Sequence, residues 1–385
     1  MIIYLTSGTE DSVMARRFRE AYPNAEIKTV ADNEEARQAL FEQETNSGKH
    51  NIFITPAKGQ HFKVCPGTSD PYICCNYWTL HQATNCPFDC TYCILQYYLN
   101  NPLLTVFSNL DDLLDMIRER IAEEPQRFFR VGTGELADSL AIDDVAQAGP
   151  ELIRFTAEQK NMIMELKTKS DKVDHLLDVR HDGRTVISWS LNPPSTIGKH
   201  EFRAATFEAR MEALKKVQQA GYMTGFHFDP ILIEDDWIKT YEDLIRELFR
   251  YADPSRIAWI SIGSLRFPPE MEEKVKAKFP KTDLLDGEMI RGNDNKQRYF
   301  KPLRIEAYKH IYHSLRKYGG EDLFIYFCME DPDTWQQVMG FTPENNAHLD
   351  FLFADYLNKK FPGLNIPRAD EEEYKSFHTS RSWEK

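Results

Sequence analysis

The sequence predicts an α/β protein: a partial (β/α)6 barrel with a small N-terminal parallel α/β domain and a mostly helical C-terminal extension. Short apolar strands alternate with helical stretches along most of the chain, the pattern of a parallel sheet flanked by helices. Six such β/α units follow one another from Tyr77. The 385 residues exceed the ~250 that an α/β barrel takes as one unit, which leaves room for a flank at each end.

The elements follow in order. Ile2–Leu5, Ile27–Val30 and Ile52–Thr55 read as strands, separated by helices at Val13–Tyr22, with Ser12 as a cap, and at Glu34–Glu44. Together they define an N-terminal domain over 1–58. Gly59, Pro66 and Gly67 mark the stretch to Pro71 as loop, so 59–76 is expected to be a linker. The barrel is expected over 77–300. Its strands are Tyr77–Leu80, Phe128–Val131, Met162–Leu166, Thr185–Leu191, Met223–Phe228 and Ile257–Ile262. Its helices are Leu110–Glu123, Glu151–Gln159, Lys172–Val179, Phe207–Ala220 and Tyr241–Tyr251, with Gly221 at a helix C-terminus. The extension, 301–385, is mostly helical with one strand at Leu323–Cys328.

Composition narrows the function. Lys and Arg number 47 against 60 Asp and Glu, a net charge of −13. That excludes a generally basic coat for nucleic acid but permits a local basic groove. No run of 18 apolar residues exists to span a membrane. The N-terminus has neither the basic start nor the long apolar stretch of a signal peptide, which points to the cytoplasm, where thiols stay reduced. Seven cysteines, three of them within 86–93, favour a metal or cluster site over a disulfide framework.

The strongest motif is Cys86-Pro-Phe-Asp-Cys90-Thr-Tyr-Cys93, directly after the first barrel strand. Three thiolates on one tight loop can each hold one iron of a cube-shaped cluster. A [4Fe–4S] cluster normally takes four cysteines, so three leave one iron open for chemistry. A structural zinc is the alternative and needs a fourth ligand, such as Cys74 or Cys75.

CxxxCxxC at the first strand of a six-unit barrel resembles the radical S-adenosylmethionine (SAM) superfamily, and within it the spore photoproduct lyase branch. That branch has an aromatic before the last cysteine and Leu-Gln soon after; here the run is Tyr92-Cys93-Ile94-Leu95-Gln96. Thr168-Lys169, Ser188-Trp-Ser190-Leu-Asn192, Ala220-Gly221-Tyr222, Gly225-Phe-His-Phe-Asp-Pro230-Ile231 and Trp237 match in order. The resemblance implies an enzyme with a [4Fe–4S] cluster on Cys86, Cys90 and Cys93. It would reductively cleave SAM to a 5′-deoxyadenosyl radical that abstracts hydrogen from a nucleic acid or nucleotide, as in repair of a DNA lesion. Tyr92, Gly134, Glu135, Lys169, Ser190 and Asn192 would hold SAM, and a flavodoxin- or ferredoxin-type protein would supply the electron. In the alternatives, the radical acts on a peptide or small metabolite, or the chain is a cluster-containing binding protein for damaged DNA.

Two positions depart from the branch. Glu135 stands where the lyase has its hydrogen-donor cysteine, and Ile94 where it has a tyrosine. Tyr97, Tyr98 or Cys74 are the candidates for a substitute donor. Arg291, Lys296, Arg298, Lys301 and Arg304, with Tyr299 and Phe300 among them, form a basic segment around the turn-forming Gly292–Asn295. Arg291, Lys296, Arg298 and Tyr299 are therefore expected to meet phosphates and bases. His227 and Asp229 share a strand face and are expected to touch substrate.

Overall fold

The computed structural model describes residues 1–41, 48–65, 71–368 and 370–378. Two sheets dominate. The smaller is five-stranded, in the order β2 (Glu26–Val30), β1 (Ile2–Thr6), β3 (Ile52–Thr55), β8 (Leu104–Phe107), β6 (Ala83–Thr84). Its last two strands lie beyond residue 58, so the N-terminal sheet is completed by chain expected in the barrel. Ser12 caps the helix Val13–Ala21 by accepting from the Ala15 amide. The second helix of this unit is Asn33–Phe41; residues 42–44 of the expected span lie outside the described residues.

The larger sheet has eight strands. Their order is β18 (Ile325–Phe327), β14 (Ile257–Ser264), β13 (Met223–Ile231), β11 (Thr185–Ser190), β10 (Met162–Thr168), β9 (Phe129–Gly132), β5 (Trp78–Leu80), β4 (Phe62–Val64). All neighbours are parallel except β4, which runs antiparallel to β5. This is an open half-barrel. The expected linker thus contains an edge strand, because Phe62 and Val64 pair with Leu80 and Trp78; its residues 66–70 lie outside the described residues. The tail strand joins the barrel sheet beside β14. The stretch Lys172–Val179 is not a helix: it holds only a single 3-10 turn, Asp174–Leu176. Thr206 caps the helix Phe207–Gln219, and Gly221, at φ +93°, reverses the chain after it.

Strand register separates two faces. Met164, Leu166, Ile187, Trp189, Phe226, Phe228, Ile260 and Ile262 point outward and are buried under the helices. The inner face is polar: Thr79, Glu165, Lys167, Ser188, Ser190, His227, Asp229 and Ser261 share it with Arg130, Trp259 and Tyr326. Polar side chains lining a buried bore cost desolvation unless paired or used, so this face is where chemistry belongs. The short pair β7 (Asp89–Cys90) and β12 (Glu201–Phe202) and the three-stranded β15 (Arg266–Phe267), β17 (Gln297–Arg298), β16 (Ile290–Arg291) sit at the mouth. Among the described residues no helix is long and apolar enough to cross a membrane.

Candidate active site

The cysteine loop is held from both ends. Asn85, at φ +71°, donates to the carbonyls of Pro102 (2.9 Å) and Leu103, and its own Oδ1 accepts from the Cys86 amide at 2.9 Å. Further on, β7 pairs with β12, which sets Cys90 opposite Glu201. Thr91 donates its amide to the His200 carbonyl, and its hydroxyl meets the His200 ring at Nδ1, 2.8 Å away. Gln96 closes the loop onto the Thr91 carbonyl. Cys86 and Cys90 are buried and Cys93 is partly exposed. Burial pushes the Cys90 thiol up to about 12. Burial, followed by the nearby Asp138 carboxylate, raises Cys86. Such thiols ionise only with a cation among them.

The three cysteines fit a cluster better than one ion. Their sulfurs do not lie within 4.8 Å of one another as a set; among the described residues only Glu344, His348 and Glu371 do so. A zinc bound at ~2.3 Å would draw its sulfur ligands to roughly 4 Å apart. The other cysteines stand elsewhere. The Cys74 amide donates to Asn346, the Cys75 carbonyl accepts from Arg130, and Cys328 lies 3.4 Å from Arg266.

Beneath the loop lies a dry ion pair that sequence reasoning missed. Glu201 and Arg210 are fully buried against each other. Tyr92 donates its hydroxyl to Glu201, and Asn192 donates to the same oxygen at 3.1 Å. The Asn192 carbonyl oxygen accepts from Tyr241 at 2.7 Å, so this amide is spent on structure. Arg210 also donates to the Ser190 carbonyl at 2.8 Å. Burial raises the Tyr92 phenol, with Glu201 adding to the shift. Burial pushes the Glu201 carboxyl up, but Arg210 and then Lys169 hold it below the usual range. Tyr92 and Asn192 therefore reach the site as props of the loop.

Lys169 differs. Its ammonium sits 5.7 Å from the Tyr92 ring centre and within electrostatic reach of Cys90 and Glu201. Its backbone is fixed by Asp138, which accepts from the Lys169 amide (2.7 Å) and the Thr168 hydroxyl (2.6 Å). It has no carboxylate within 4 Å among the described residues. A cation beside the cysteine loop with no carboxylate paired to it suits an anionic group of a ligand. Ser190 is on the inner face opposite His227.

The turn Gly132-Thr-Gly134-Glu135 follows β9. A Cβ on Gly132 would sit 1.4 Å from the Tyr77 hydroxyl, and one on Gly134 would lie 3.0 Å from the Lys167 Cβ. These glycines make room for bore side chains. Glu135 pairs with His81 at 2.5 Å with its side chain 21 % exposed. Burial raises its carboxyl, and His81 more than offsets this, so the group stays below its usual range.

The bore carries a second network that sequence reasoning missed. Glu165 accepts from Tyr77 (2.7 Å) and Trp259 (2.9 Å) and meets His227 Nε2 at 2.7 Å. His227 Nδ1 meets Ser261 at 2.7 Å. Asp229 is held by both terminal nitrogens of Arg266, at 3.0 and 3.1 Å. His227 and Asp229 thus face the bore as expected, but each is already engaged by a protein partner. Period-2 alternation in β10 and β13 was the signal for Glu165.

The basic segment folds as the expected hairpin: β16 pairs with β17, and Gly292 donates to Lys296. Its charge is mostly cancelled internally. Arg298 is buried over the Tyr72 ring and paired with Asp294 at 2.8 Å; Arg304 pairs with Glu330 and Lys301 with Asp331. Lys296 lies 3.7 Å from Asp294. The Tyr299 hydroxyl accepts from the Ile233 amide. The Arg298 guanidinium is therefore committed to protein partners, whereas Tyr299 stays partly exposed with only its hydroxyl engaged. Exposed on the hairpin and just after it are Ile290, Arg291, Asn293, Asn295 and Phe300, the last 56 % exposed. Of the three donor candidates, Cys74 is buried and its amide donates to Asn346. Tyr97 packs under Lys274. Tyr98 is half exposed at the mouth, within electrostatic reach of Glu135 and Asp294.

Comparison with known proteins points to one family. A family model described as spore photoproduct lyase matches residues 57–319. The spore photoproduct lyase of Geobacillus sp. (strain Y412MC61) is 30% identical over 238 residues, 61% of this chain and 68% of the relative. That of Clostridium acetobutylicum is 24% identical over 284 residues, 71% of this chain and 81% of the relative. Among solved structures, a spore photoproduct lyase variant with bound AdoMet and dinucleoside spore photoproduct superposes with a TM-score of 0.75 at 23% identity. It covers 85% of this chain and 98% of that one.

Proposed function

This chain belongs to the spore photoproduct lyase family, and we propose that it is a cytoplasmic radical SAM enzyme acting on a thymine-type lesion or related nucleotide. The family is one of radical SAM lyases that use a [4Fe–4S] cluster and AdoMet. Bound at this loop, cluster and AdoMet would supply one-electron chemistry for hydrogen abstraction.

Each step on the protein's side has a named residue. Cys86, Cys90 and Cys93 would hold three irons, on a loop fixed by Asn85, Thr91 and the Glu201 strand. Lys169 would meet the AdoMet carboxylate, and Ser190 the same group or the ribose. Asn192 and Tyr92 keep the Glu201–Arg210 pair dry beneath them. The Glu165–His227–Ser261 network and the Asp229–Arg266 pair shape the bore wall against the lesion. Arg291 and Phe300 would meet the strand that carries it.

The single observation that carries the reading is the uncompensated Lys169 ammonium beside a three-cysteine loop at the strand ends. Glu135 sets a limit on the outcome. A carboxylate cannot return a hydrogen atom to a carbon radical as a thiol does, and His81 keeps this one ionised. The enzyme therefore cleaves AdoMet without efficient regeneration, unless Tyr98 serves. The test is anaerobic reconstitution with iron and sulfide, reduction, and incubation with AdoMet and dinucleoside spore photoproduct. We expect 5′-deoxyadenosine in excess over repaired thymine. Absence of 5′-deoxyadenosine in a protein containing about four irons overturns the reading.

A further inference from the structure

We infer that the outer side of the cysteine loop is the docking surface for a small acidic protein that carries single electrons. The inference rests on the function proposed above. A cavity of about 540 Å³ opens there, with Cys90, Cys93 and Gln96 on one wall and Lys49, His50, Arg203 and Lys278 around it. None of the bore residues Glu165, Lys167, His227 or Asp229 lines it. Substrate in the bore and an occupant of this cavity therefore approach the cysteines from different sides.

The charge of this face runs against that of the whole chain. Lys49, Lys278 and Arg203 converge on one carboxylate, Asp89, with Lys49 at 3.0 Å and Lys278 at 2.6 Å. Burial pushes Asp89 up, but Lys278 and Lys49 hold it far below the usual range, so it stays ionised. Among the described residues none of the three cations has a second carboxylate within 4 Å. Lys274, one turn before Lys278, lies 5.3 Å from the Tyr97 ring centre and has no carboxylate partner there either. Among the described residues, four cations against one anion give a local excess of three positive charges, on a chain of net −13. Screening limits the field to about 8 Å at physiological salt, so a partner at this face experiences the patch rather than the net charge.

Cys93, the one partly exposed cysteine of the three, opens onto this cavity. An electron entering here reaches the cysteine-held group without crossing the bore. The exchange is balanced: the carrier loses one electron, the iron–sulfur group gains it, and no bond or proton moves. A nucleic acid would also be drawn to cations, but its reacting base must reach the bore.

The probe is flavodoxin, titrated calorimetrically onto anaerobically purified holoprotein at 50 and 300 mM salt. Wild type should bind, and more weakly at the higher salt. A His50→Glu/Lys274→Glu variant, which alters no loop contact of Asp89, should bind at least tenfold more weakly. AdoMet cleavage driven by titanium(III) citrate should be unchanged in this variant, while cleavage driven by reduced flavodoxin falls. Equal flavodoxin affinity in the two proteins overturns the proposal, as does a variant that loses duplex DNA instead. Failure of the wild type with titanium(III) citrate would instead sink the proposed function, while the calorimetric arm still decides the surface.

Discussion

Replacing Arg210 with Met removes the counter-charge of Glu201 while keeping much of the volume. Both side chains are fully buried, so the carboxylate is left with Tyr92 and Asn192 as hydrogen-bond donors and Lys169 as a more distant cation. Breaking one side of a buried pair costs about 3–5 kcal/mol. At about 2.1 cal/mol/K per residue, a chain of 385 residues has an unfolding entropy of roughly 0.8 kcal/mol/K, so Tm should fall by about 4–6 °C. The pH dependence has a defined sign. In the native chain Glu201 is held below the ordinary carboxylate range, so its contribution is fully present above that range and is lost only in acid. Without Arg210, burial dominates and raises the group. The native state of the variant then takes up a proton that its unfolded state does not, and its deficit shrinks as pH drops from 7.5 toward 5. The double variant Glu201→Met/Arg210→Met should recover more than half of the loss, because no unpaired charge remains. Thermal unfolding at both pH values measures this. A single-variant cost below about 1 kcal/mol, or a double variant no better than the single, would refute the reasoning.

Lys169→Ala should weaken AdoMet binding by about one to two decades, the worth of a charge-assisted hydrogen bond. Iron content and Tm should stay near wild type, because Lys169 makes no ion pair; calorimetry and iron analysis read the two effects separately. Glu135→Cys restores a thiol at the strand end and should raise the yield of repaired thymine per 5′-deoxyadenosine, whereas Glu135→Ala should not; chromatography of both products decides it. Phe300→Ala should weaken lesion-oligonucleotide binding by about 1–3 kcal/mol at constant salt slope, and Arg291→Ala should reduce the slope by ~0.9. Arg298→Ala should instead lower Tm, because that guanidinium is buried between Asp294 and Glu330; a binding loss with unchanged Tm would contradict its placement.

The cysteine loop, the β/α alternation and the hairpin turn were legible in the sequence. Each depends on residues close together in the chain, whose spacing already sets which groups can meet. Cys86, Cys90 and Cys93 are neighbours whatever the rest of the chain does, and Gly292–Asn295 turns on its own backbone preferences. Lys169 and Ser190 were named through the family resemblance, and both stand at the ends of barrel strands, Ser190 closing β11 and Lys169 following β10.

Pairing across the fold was not legible. Arg298, Lys301 and Arg304 read as a basic groove because their counter-charges Glu330 and Asp331 arrive from the end of β18, a strand that only the tertiary sheet places beside β14. Glu201 looked like one surface acid among sixty until β12 paired with β7 and buried it opposite Cys90. Nothing along the chain tells why residue 132 is glycine; a side chain there would collide with the hydroxyl of Tyr77. In each case the chemistry of the side chain was fixed by its type, and its role by a partner distant along the chain. A charge counts as a binding group only when nothing neutralises it, and topology alone decides which charges meet.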